Sequence, residues 1–376
     1  MQQKTLIAFL LAAALCVGLR YHPVQQLSPP ELTGTVLVNR EPTTATLYLG
    51  GTITSVNVPV CAVQWNADGT VTDMEKQYVQ TRGGTVEKQM ADRLENLSKG
   101  ELICTQSISD GLLAAFYDET AEEPLTVVEL DAQSQVVLTA VIPNLRENAA
   151  IYAMSADEQT IYLFDYLEET ESILIIQVDR ATGVCSSRTV DWQDIAGPYA
   201  EMYHLGGLLL SPNHVAVRDG VLYIVEQHYG EGDGLTRVFV SAYDLEAEQL
   251  IGVQLLGNCG LVLLEATEDS LCILTNDPNP EPLTLSVFDR QDLNLRSVTQ
   301  YELPAQWVAR TEDDGIEYSL DAAKMTETRL QVVLPYRTEA DKNLAYLATY
   351  DRQTAELLYL GELQIDQPEY EIWSIE

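Results

Sequence analysis

Residues 221–252 read VLYIVEQHYGEGDGLTRVFVSAYDLEAEQLIG, and this stretch decides the fold class of the chain. Three apolar runs, Val221–Val225, Val238–Tyr243 and Gln249–Leu255, are rich in β-branched and aromatic residues. Turn-forming residues such as Asp219-Gly220 and Asp244–Glu248 lie before and between the runs. Short runs of this composition, bounded by turn formers, are typical of antiparallel strands. The stretch therefore predicts three consecutive antiparallel strands.

The same unit recurs along the chain, and each copy closes on an aspartate that follows an apolar run. The closing aspartates are Asp131, Asp179, Asp244, Asp289 and Asp351. An opening turn precedes each by about 20 to 25 residues, and a weaker sixth copy over residues 52–79 closes on Asn66. Asp and Asn side chains bond the backbone two residues on, so we interpret these positions as turn chemistry.

Regular recurrence of about four short strands predicts an all-β fold, the β-propeller. We count six blades, with seven as the alternative. Leu32–Arg40 and Glu369–Ile375 both have strand composition, and we expect them to pair with each other and close the ring.

Two of the closing turns also carry a family resemblance. The turns Asp179–Gly183 (DRATG) and Asp351–Ala355 (DRQTA) resemble those of pyrroloquinoline-quinone-type propeller repeats. The resemblance covers roughly residues 45–361. The tryptophan usual in the last strand of that repeat is absent after these turns, so the resemblance implies the propeller fold and not the quinone cofactor.

The N-terminal residues have the composition of a targeting segment. Lys4 precedes an uncharged apolar run, Leu6–Leu19, which is shorter than the roughly 17–25 residues that span a bilayer. We interpret residues 1–20 as a signal peptide or signal anchor, an apolar leader or anchor helix, whose cleavage is left open. Residues 21–33 read as a linker and residues 34–376 as the propeller domain. The body is then extracytoplasmic, either secreted or anchored to the cell membrane by the N-terminal segment.

The net charge of −36 argues against nucleic-acid partners and against anionic membrane surfaces, both of which would be repelled. It favours cationic partners or divalent ions.

Cysteines outside the leader form no CxxC pair and sit mostly in apolar runs, so we interpret them as buried small side chains. They are Cys61, Cys104, Cys185, Cys259 and Cys272.

Acidic residues concentrate in the loops that join the second and third strands of each unit. These loops are Asp118–Glu123, Glu168–Glu171, Glu226–Thr236, Asn276–Pro282 and Arg337–Asn343. In a propeller such loops share one face, so we predict an acidic loop face. The opposite face is predicted to be more balanced, because Arg180, Arg290 and Arg352 follow their closing aspartates there.

Most catalytic signatures are absent: the chain has no GxSxG, HExxH, P-loop or GxGxxG motif. The candidate ligand-binding residues are His204, His214, His228, Tyr229, Glu231 and Asp233. Glu231 and Asp233, in a glycine-rich loop, are also calcium candidates.

Two longer connections also carry predictions. The stretch Trp192–Pro212 either overhangs the central channel or packs between blades. Glu87–Leu97 is predicted to form a surface helix packed through Met90, Leu94 and Leu97.

Three functions fit these observations. The first is a non-catalytic binding or scaffold module that holds a protein or glycan partner at the acidic loop face. This function requires no cofactor, and calcium is the one candidate ion. The second is a propeller hydrolase or lyase that uses channel carboxylates, with calcium as a further option. The third is a structural subunit of an envelope complex.

Overall fold

The computed structural model describes residues 30–51, 58–81, 84–98, 100–108, 111–143, 151–199, 214–229, 236–276, 282–308, 322–337, 343–366 and 370–375. The leader and most of the linker lie outside this range. One compact unit spans Leu32–Glu376, and its strands form six antiparallel sheets. No helix among the described residues is long and apolar enough to cross a membrane.

Each sheet is one blade, and its strands are named here in their order within the sheet, from the innermost to the outermost. Blade 1 contains β26 (Tyr370–Ile375), β2 (Ala45–Gly51), β3 (Val58–Trp65), β4 (Val71–Thr81) and β5 (Gly84–Glu87). Blade 2 contains β6 (Glu101–Ile108), β7 (Gly111–Tyr117), β8 (Leu125–Asp131) and β9 (Val136–Ile142). Blade 3 contains β10 (Ala153–Ala156), β11 (Thr160–Leu167), β12 (Ser172–Asp179) and β13 (Cys185–Asp191).

The other three blades repeat the pattern. Blade 4 contains β14 (Val215–Arg218), β15 (Val221–Tyr229), β16 (Thr236–Asp244) and β17 (Gln249–Asn258). Blade 5 contains β18 (Gly260–Ala266), β19 (Ser270–Asn276), β20 (Leu283–Asp289) and β21 (Leu295–Tyr301). Blade 6 contains β22 (Ala322–Met325), β23 (Arg329–Arg337), β24 (Asn343–Asp351), β25 (Leu357–Ile365) and, outermost, β1 (Leu32–Asn39). The chain therefore folds as a six-bladed β-propeller, as the repeat predicts.

The closing aspartates all lie at the same end of their blades, which we call the turn end. Each is the last residue of a third strand and pairs with the first residue of the second strand, as Val221 does with Asp244. Their side chains form the predicted turns: Asp179 Oδ1 accepts from the backbone amides of Ala181 (3.1 Å) and Thr182 (2.8 Å). The hydroxyl of Thr182 and these amides lower the pKa of Asp179. The opposite end, where second strands lead into third strands, is the loop end.

Side chains of the second strands alternate between the two neighbouring blades. In β15, Leu222 and Ile224 join the core shared with blade 3, whereas Tyr223 and Val225 join the core shared with blade 5. Both faces of such a second strand are therefore buried, and its sequence is a nearly continuous apolar run instead of a polar alternation.

The predicted pairing between the two terminal strands is wrong. β1 pairs with β25 as a fifth, outer strand of blade 6, and β26 pairs with β2 as the innermost strand of blade 1. The reason is that β2, the first strand of blade 1 along the chain, occupies the second position of that blade, which leaves the innermost position for β26.

A buried tryptophan joins blade 1 to blade 6 where the ring closes. The indole Nε1 of Trp65 donates to the hydroxyl of Tyr359 at 2.7 Å. Its ring also lies against Gly34 and Gly361, where a Cβ would meet Trp65 ring atoms at 3.0 and 2.3 Å. Both glycines therefore allow the ring of Trp65 to lie against the backbone of blade 6.

The predicted surface helix is α1 (Lys88–Ser98), with one correction to its packed face. Ala91 and Leu94 are buried and Met90 packs beside them, but Leu97 is 61% exposed. Leu97 lies in the last turn of the helix, beyond the core that Leu94 reaches. None of the five described cysteines forms a disulfide; Cys104, Cys259 and Cys272 are buried as predicted, whereas Cys61 and Cys185 are half-buried.

Candidate functional site

The candidate histidines of blade 4 come to the loop end. His214 directly precedes β14, and His228 and Tyr229 are the last two residues of β15. In the antiparallel ladder of β14 and β15 the first pair is Val215 with Ile224, so His214 lies toward the loop end and β15 extends beyond it to His228 and Tyr229. The side chains of His228 and Tyr229, and the whole of His204, Glu231 and Asp233, lie outside the described residues.

Three of the predicted loops begin too early. β15 continues through Glu226 and His228 to Tyr229, and β19 and β23 each include the first residue of the predicted loop, Asn276 and Arg337. The sequence places charged and polar residues in these positions, which favours a loop, but pairing with the neighbouring strand extends the ladder. Glu226 in particular is a strand residue and is only 4% exposed.

Glu226 is a buried acid, although the sequence pattern predicts that it lies in a surface loop. It follows Leu222 and Ile224 at alternating positions, so it faces blade 3, and its cross-strand partner is Phe239. Phe239 lies in the same core, with ring centroids 5.7 Å from Trp192 and 5.8 Å from Tyr199. Burial among these groups raises the pKa of Glu226 well above its usual range.

The Trp192–Tyr199 segment packs between blades, as one of the two interpretations predicted. It forms the short helix α2 (Trp192–Ala196) and a 3₁₀ turn over Gly197–Tyr199. Trp192, Ile195 and Ala196 are buried in the core between blades 3 and 4. The remaining residues of the stretch, 200–212, lie outside the described part of the chain.

Blade 3 carries a second buried acid at the equivalent position. Asp165 lies five residues after the start of β11, as Glu226 does in β15, and it is 2% exposed. Ile161 and Leu163 at alternating positions belong to the core between blades 2 and 3, so Asp165 faces blade 2. The two acids therefore face different inter-blade cores and do not form a paired-carboxylate site. The sequence signal that points to both acids is their common offset from the opening turn.

We expect Glu226→Gln to change how stability depends on pH. Because the folded-state pKa is raised, the native state keeps a proton that the unfolded chain releases above about pH 4.3. The contribution of Glu226 is thus fully present below that pH and is lost as pH rises toward the folded-state pKa. At about pH 8 the melting temperature of Glu226→Gln should be higher than that of the wild type, and the difference should disappear near about pH 4.5. Each kcal/mol of difference in the free energy of unfolding corresponds to about 2–4 °C in melting temperature.

The measurement is thermal unfolding followed by circular dichroism across this pH range. The matched control is Glu246→Gln, which changes an exposed glutamate in the closing turn of the same blade. A difference between Glu226→Gln and the wild type that is constant with pH would contradict the titration of this carboxyl.

At the turn end, arginines that follow the closing aspartates reach back to the preceding blade. Arg180 of blade 3 bonds Glu129 of blade 2 through Nε at 3.1 Å to both carboxylate oxygens. Arg290 of blade 5 bonds Asp219 of blade 4 at 2.5 Å. We call these contacts the arginine clamps.

Two further residues complete the pattern. Arg352 of blade 6 lies 3.0 Å from the Sγ of Cys272 in blade 5. In blade 4 the same position is Leu245, which is buried in the core shared with blade 3. The residue after four of the five closing aspartates therefore joins neighbouring blades, by an ion pair in two cases, by a hydrogen bond to a thiol in one and by apolar burial in one. The fifth, Ala132 after Asp131, is exposed.

The described residues contain no group of three His, Cys, Asp or Glu side chains placed to hold a metal ion. The calcium candidates Glu231 and Asp233 are not among those residues, so a calcium site in their loop stays a prediction.

Comparison with known proteins adds no family. No protein-family model matches the chain, and no curated protein matches it by sequence. Solved structures that are similar include the Dos1 propeller (9% identity, 84% of this chain and 74% of that chain, TM-score 0.40). A chain of the mitotic checkpoint complex matches at 10% identity over 93% and 90% with a TM-score of 0.41. A europium-containing methanol dehydrogenase matches at 11% identity over 93% and 73%, with a TM-score of 0.35. The fold assignment stands on the six sheets themselves.

Proposed function

We propose that this chain is an extracytoplasmic propeller, secreted or tethered by residues 1–20, that binds a protein or glycan partner at its loop end. It acts as a binding or scaffold module and not as a catalyst. The linker ends at residue 31, two residues earlier than the sequence predicts, because Leu32 and Thr33 already pair with β25 in blade 6, and residues 32–376 form the binding domain.

The observation that carries the proposal is the one-sided charge of two described segments at the loop end. The loop Asp118–Glu123 and the turn Glu168–Glu171 contain no Lys or Arg, and their exposed acids are Glu119, Glu122, Glu169 and Glu171. The arginine clamps engage positive side chains at the turn end, between blades. Each of these two loop-end segments therefore holds acidic side chains and no basic one.

Such an arrangement favours a partner that presents positive charge. Exposed charges of one sign create a potential that draws oppositely charged molecules and speeds their association. The attraction between exposed charges is screened by salt over about 8–10 Å. Binding at the loop end should therefore weaken as ionic strength rises.

The test uses two variants of equal net charge. One carries Glu→Gln at the four exposed loop-end acids, Glu119, Glu122, Glu169 and Glu171. The control carries Glu→Gln at four exposed turn-end acids, Glu158, Glu246, Glu268 and Glu327. Each full-length protein is immobilised, exposed to envelope extract of its native host, and washed at rising salt.

We expect the loop-end variant to retain at least tenfold less of the bound partner, with the turn-end control equal to the wild type. Equal losses in both variants would show simple ion exchange and would contradict the proposal. Protease accessibility of a C-terminal epitope in intact cells tests the extracytoplasmic location separately.

A further inference from the structure

Two buried polar side chains of blade 4 face the core between blades 3 and 4, and neither has a partner among the described residues. Glu226 is 4% exposed, and burial is the one cause of its raised pKa, so no described hydrogen bond or charge offsets its loss of water. Ser241 is 1% exposed, and its Oγ is buried without a hydrogen-bond partner. Buried polar groups are normally hydrogen-bonded, so this pair calls for an explanation.

The strand register places the two side chains next to each other. Glu226 pairs with Phe239 across β15 and β16, and Ile224 pairs with Ser241, so Glu226 and Ser241 are diagonal neighbours. Both lie on the face of Ile224 and Phe239, which belong to the core shared with blade 3. Diagonal neighbours on one face of a sheet are about 7–8 Å apart, within reach of long side chains. The carboxyl and the hydroxyl are therefore placed to hold one group between them.

Aromatic side chains surround this position from three elements besides β15. The ring centroid of Phe239 lies 5.7 Å from that of Trp192 and 5.8 Å from that of Tyr199. In blade 3, Tyr166 of β11 packs against the same core, one residue beyond the position equivalent to Glu226. Trp192 and Phe239 are buried, whereas Tyr166 and Tyr199 are half-buried. The faces of such rings attract cations, most strongly where water is excluded.

We propose that this position binds the ammonium group of a lysine side chain carried by a protein partner, with Glu226 as its counter-ion and Ser241 as a hydrogen-bond acceptor. Ionised carboxyl groups are rarely buried unless they are paired and hydrogen-bonded. An ammonium group supplies the opposite charge and the donors, and the rings add cation–π attraction. The inference rests on the proposed function, since it names the chemistry by which a partner is held at the loop end.

A lysine side chain suits the depth of this position. β11 ends at Leu167, two residues beyond the level of Glu226, which corresponds to about 7 Å along a strand. The flexible hydrocarbon stem of lysine covers a distance of this order and packs well against apolar walls. The acidic turn Glu168–Glu171 follows β11 directly. Its exposed carboxylates draw a cationic side chain toward the boundary between blades 3 and 4.

Binding of the ammonium group should release a proton. The raised pKa keeps Glu226 protonated to a higher pH than an exposed glutamate, whereas an ion pair requires the carboxylate. Below that pKa the affinity should rise about tenfold for each pH unit, and above it the affinity should level off.

Other titratable side chains around this core do not share that behaviour. They are His214 and the tyrosines Tyr152, Tyr162, Tyr166, Tyr199 and Tyr243. Tyrosine stays neutral below about pH 9. The charged side chains of Arg188 and Asp194 act on Tyr243, toward the turn end of the core. His214 is thus the one described group that could imitate the titration, and His214→Gln should keep the pH dependence.

The experiment is isothermal titration calorimetry of the full chain with acetyl-Gly-Lys-Gly-amide, whose only charge is the lysine ammonium. The matched probe carries norleucine, which keeps the hydrocarbon stem and removes the charge. We expect the lysine peptide to bind more tightly by about tenfold or more, with a buffer-dependent heat that reports the released proton. Glu226→Gln should abolish this preference. Glu246→Gln, in the closing turn of the same blade, should keep it.

Several results overturn the inference. Equal binding of the two peptides does so, and so does a lysine preference that Glu226→Gln leaves intact or a pH dependence that His214→Gln removes. β16 begins with Thr236 and Arg237, whose side chains lie outside the described residues. Binding that appears only in Arg237→Met would show that the chain supplies its own cation, which also overturns the inference. Circular dichroism checks the fold of each variant.

The proposed function and this inference can fail separately. The loop-end variant with four Glu→Gln changes should lose the envelope partner, yet it should bind the singly charged lysine peptide within about threefold of the wild type, because exposed charges contribute little to one contact. An envelope partner that depends on the loop-end acids, without any binding of the lysine peptide, rejects this inference alone. An envelope partner that the loop-end variant retains rejects the proposed function, whatever the peptide does.

Discussion

Gly361→Ala is expected to destabilise the propeller by about 3 kcal/mol or more, at the upper end of overpacking costs. An added Cβ would lie 2.3 Å from Cζ2 of Trp65, a distance that real contacts do not reach. Trp65 is fully buried and its Nε1 is held by the Tyr359 hydroxyl, so the ring has no room to retreat without losing that hydrogen bond. The strain falls where blade 1 meets blade 6.

The matched control is Gly252→Ala in β17. There an added Cβ would have its nearest neighbours, Asp292 and Leu293, at 3.7 Å, which is ordinary contact. Gly252→Ala should stay within about 1 kcal/mol of the wild type, and reduced freedom of the unfolded chain favours a small gain. Urea unfolding with linear extrapolation measures both variants.

A second-site change tests the cause of the Gly361 effect. Trp65→Phe removes the ring atoms that the new Cβ meets, although on its own it loses the Tyr359 hydrogen bond. Gly361→Ala should therefore cost less in the Trp65→Phe background than in the wild type, which is a coupling between contacting residues. An additive double variant would mean that Trp65 is not the obstacle.

Arg180→Met is expected to cost about 3–5 kcal/mol, because it leaves a buried carboxylate without its partner. The side chains of Arg180 and Glu129 are only 16% and 7% exposed. Both Glu129 oxygens accept from the guanidinium, and Nη1 of Arg180 also donates to the backbone carbonyl of Asp157 at 2.8 Å. Removing the guanidinium breaks the contact between blades 2 and 3 at the turn end.

Arg290→Met supplies the matched control, since it removes the same group from another arginine clamp. The acid left behind, Asp219, is 63% exposed and regains water, so the loss should be at most about 1 kcal/mol. The double variant Arg180→Met with Glu129→Leu should recover most of the stability, because apolar replacement of a buried pair is often neutral. Equal costs for Arg180→Met and Arg290→Met would contradict the role assigned to burial.

The sequence was sufficient for the blades because their signals are local. Asp179 and Asp351 bond amides two and three residues ahead, and such turns recur wherever the residues recur. The count of six blades follows from these turns together with Asn66, which bonds Thr70 in the weaker copy. The strand pairings that close the ring join residues far apart in the chain and have no comparable local signal. The predicted pairing of the two terminal strands is therefore wrong.

The contacts that join blades could not be predicted for the same reason. Trp65 meets Tyr359 across 294 positions and Arg180 meets Glu129 across 51, and nothing in the local pattern of either residue names its partner. The sequence pattern indicates the arginines after the closing aspartates only as positive charge on one face. Glu226 was assigned to a loop because an acid beside a glycine-rich stretch favours exposure, but the strand ladder carries it into the core.

The position of β26 has a consequence for biosynthesis. The innermost strand of blade 1 comes from residues 370–375, whereas its neighbours β2 and β3 leave the ribosome hundreds of residues earlier. Until the last strand arrives, the first-made sheet has an open inner edge, a surface on which nascent chains can associate wrongly. Blade 1 is thus complete only after residues 370–375 have been synthesised, and a polypeptide cut shortly before them should depend on chaperones or be degraded.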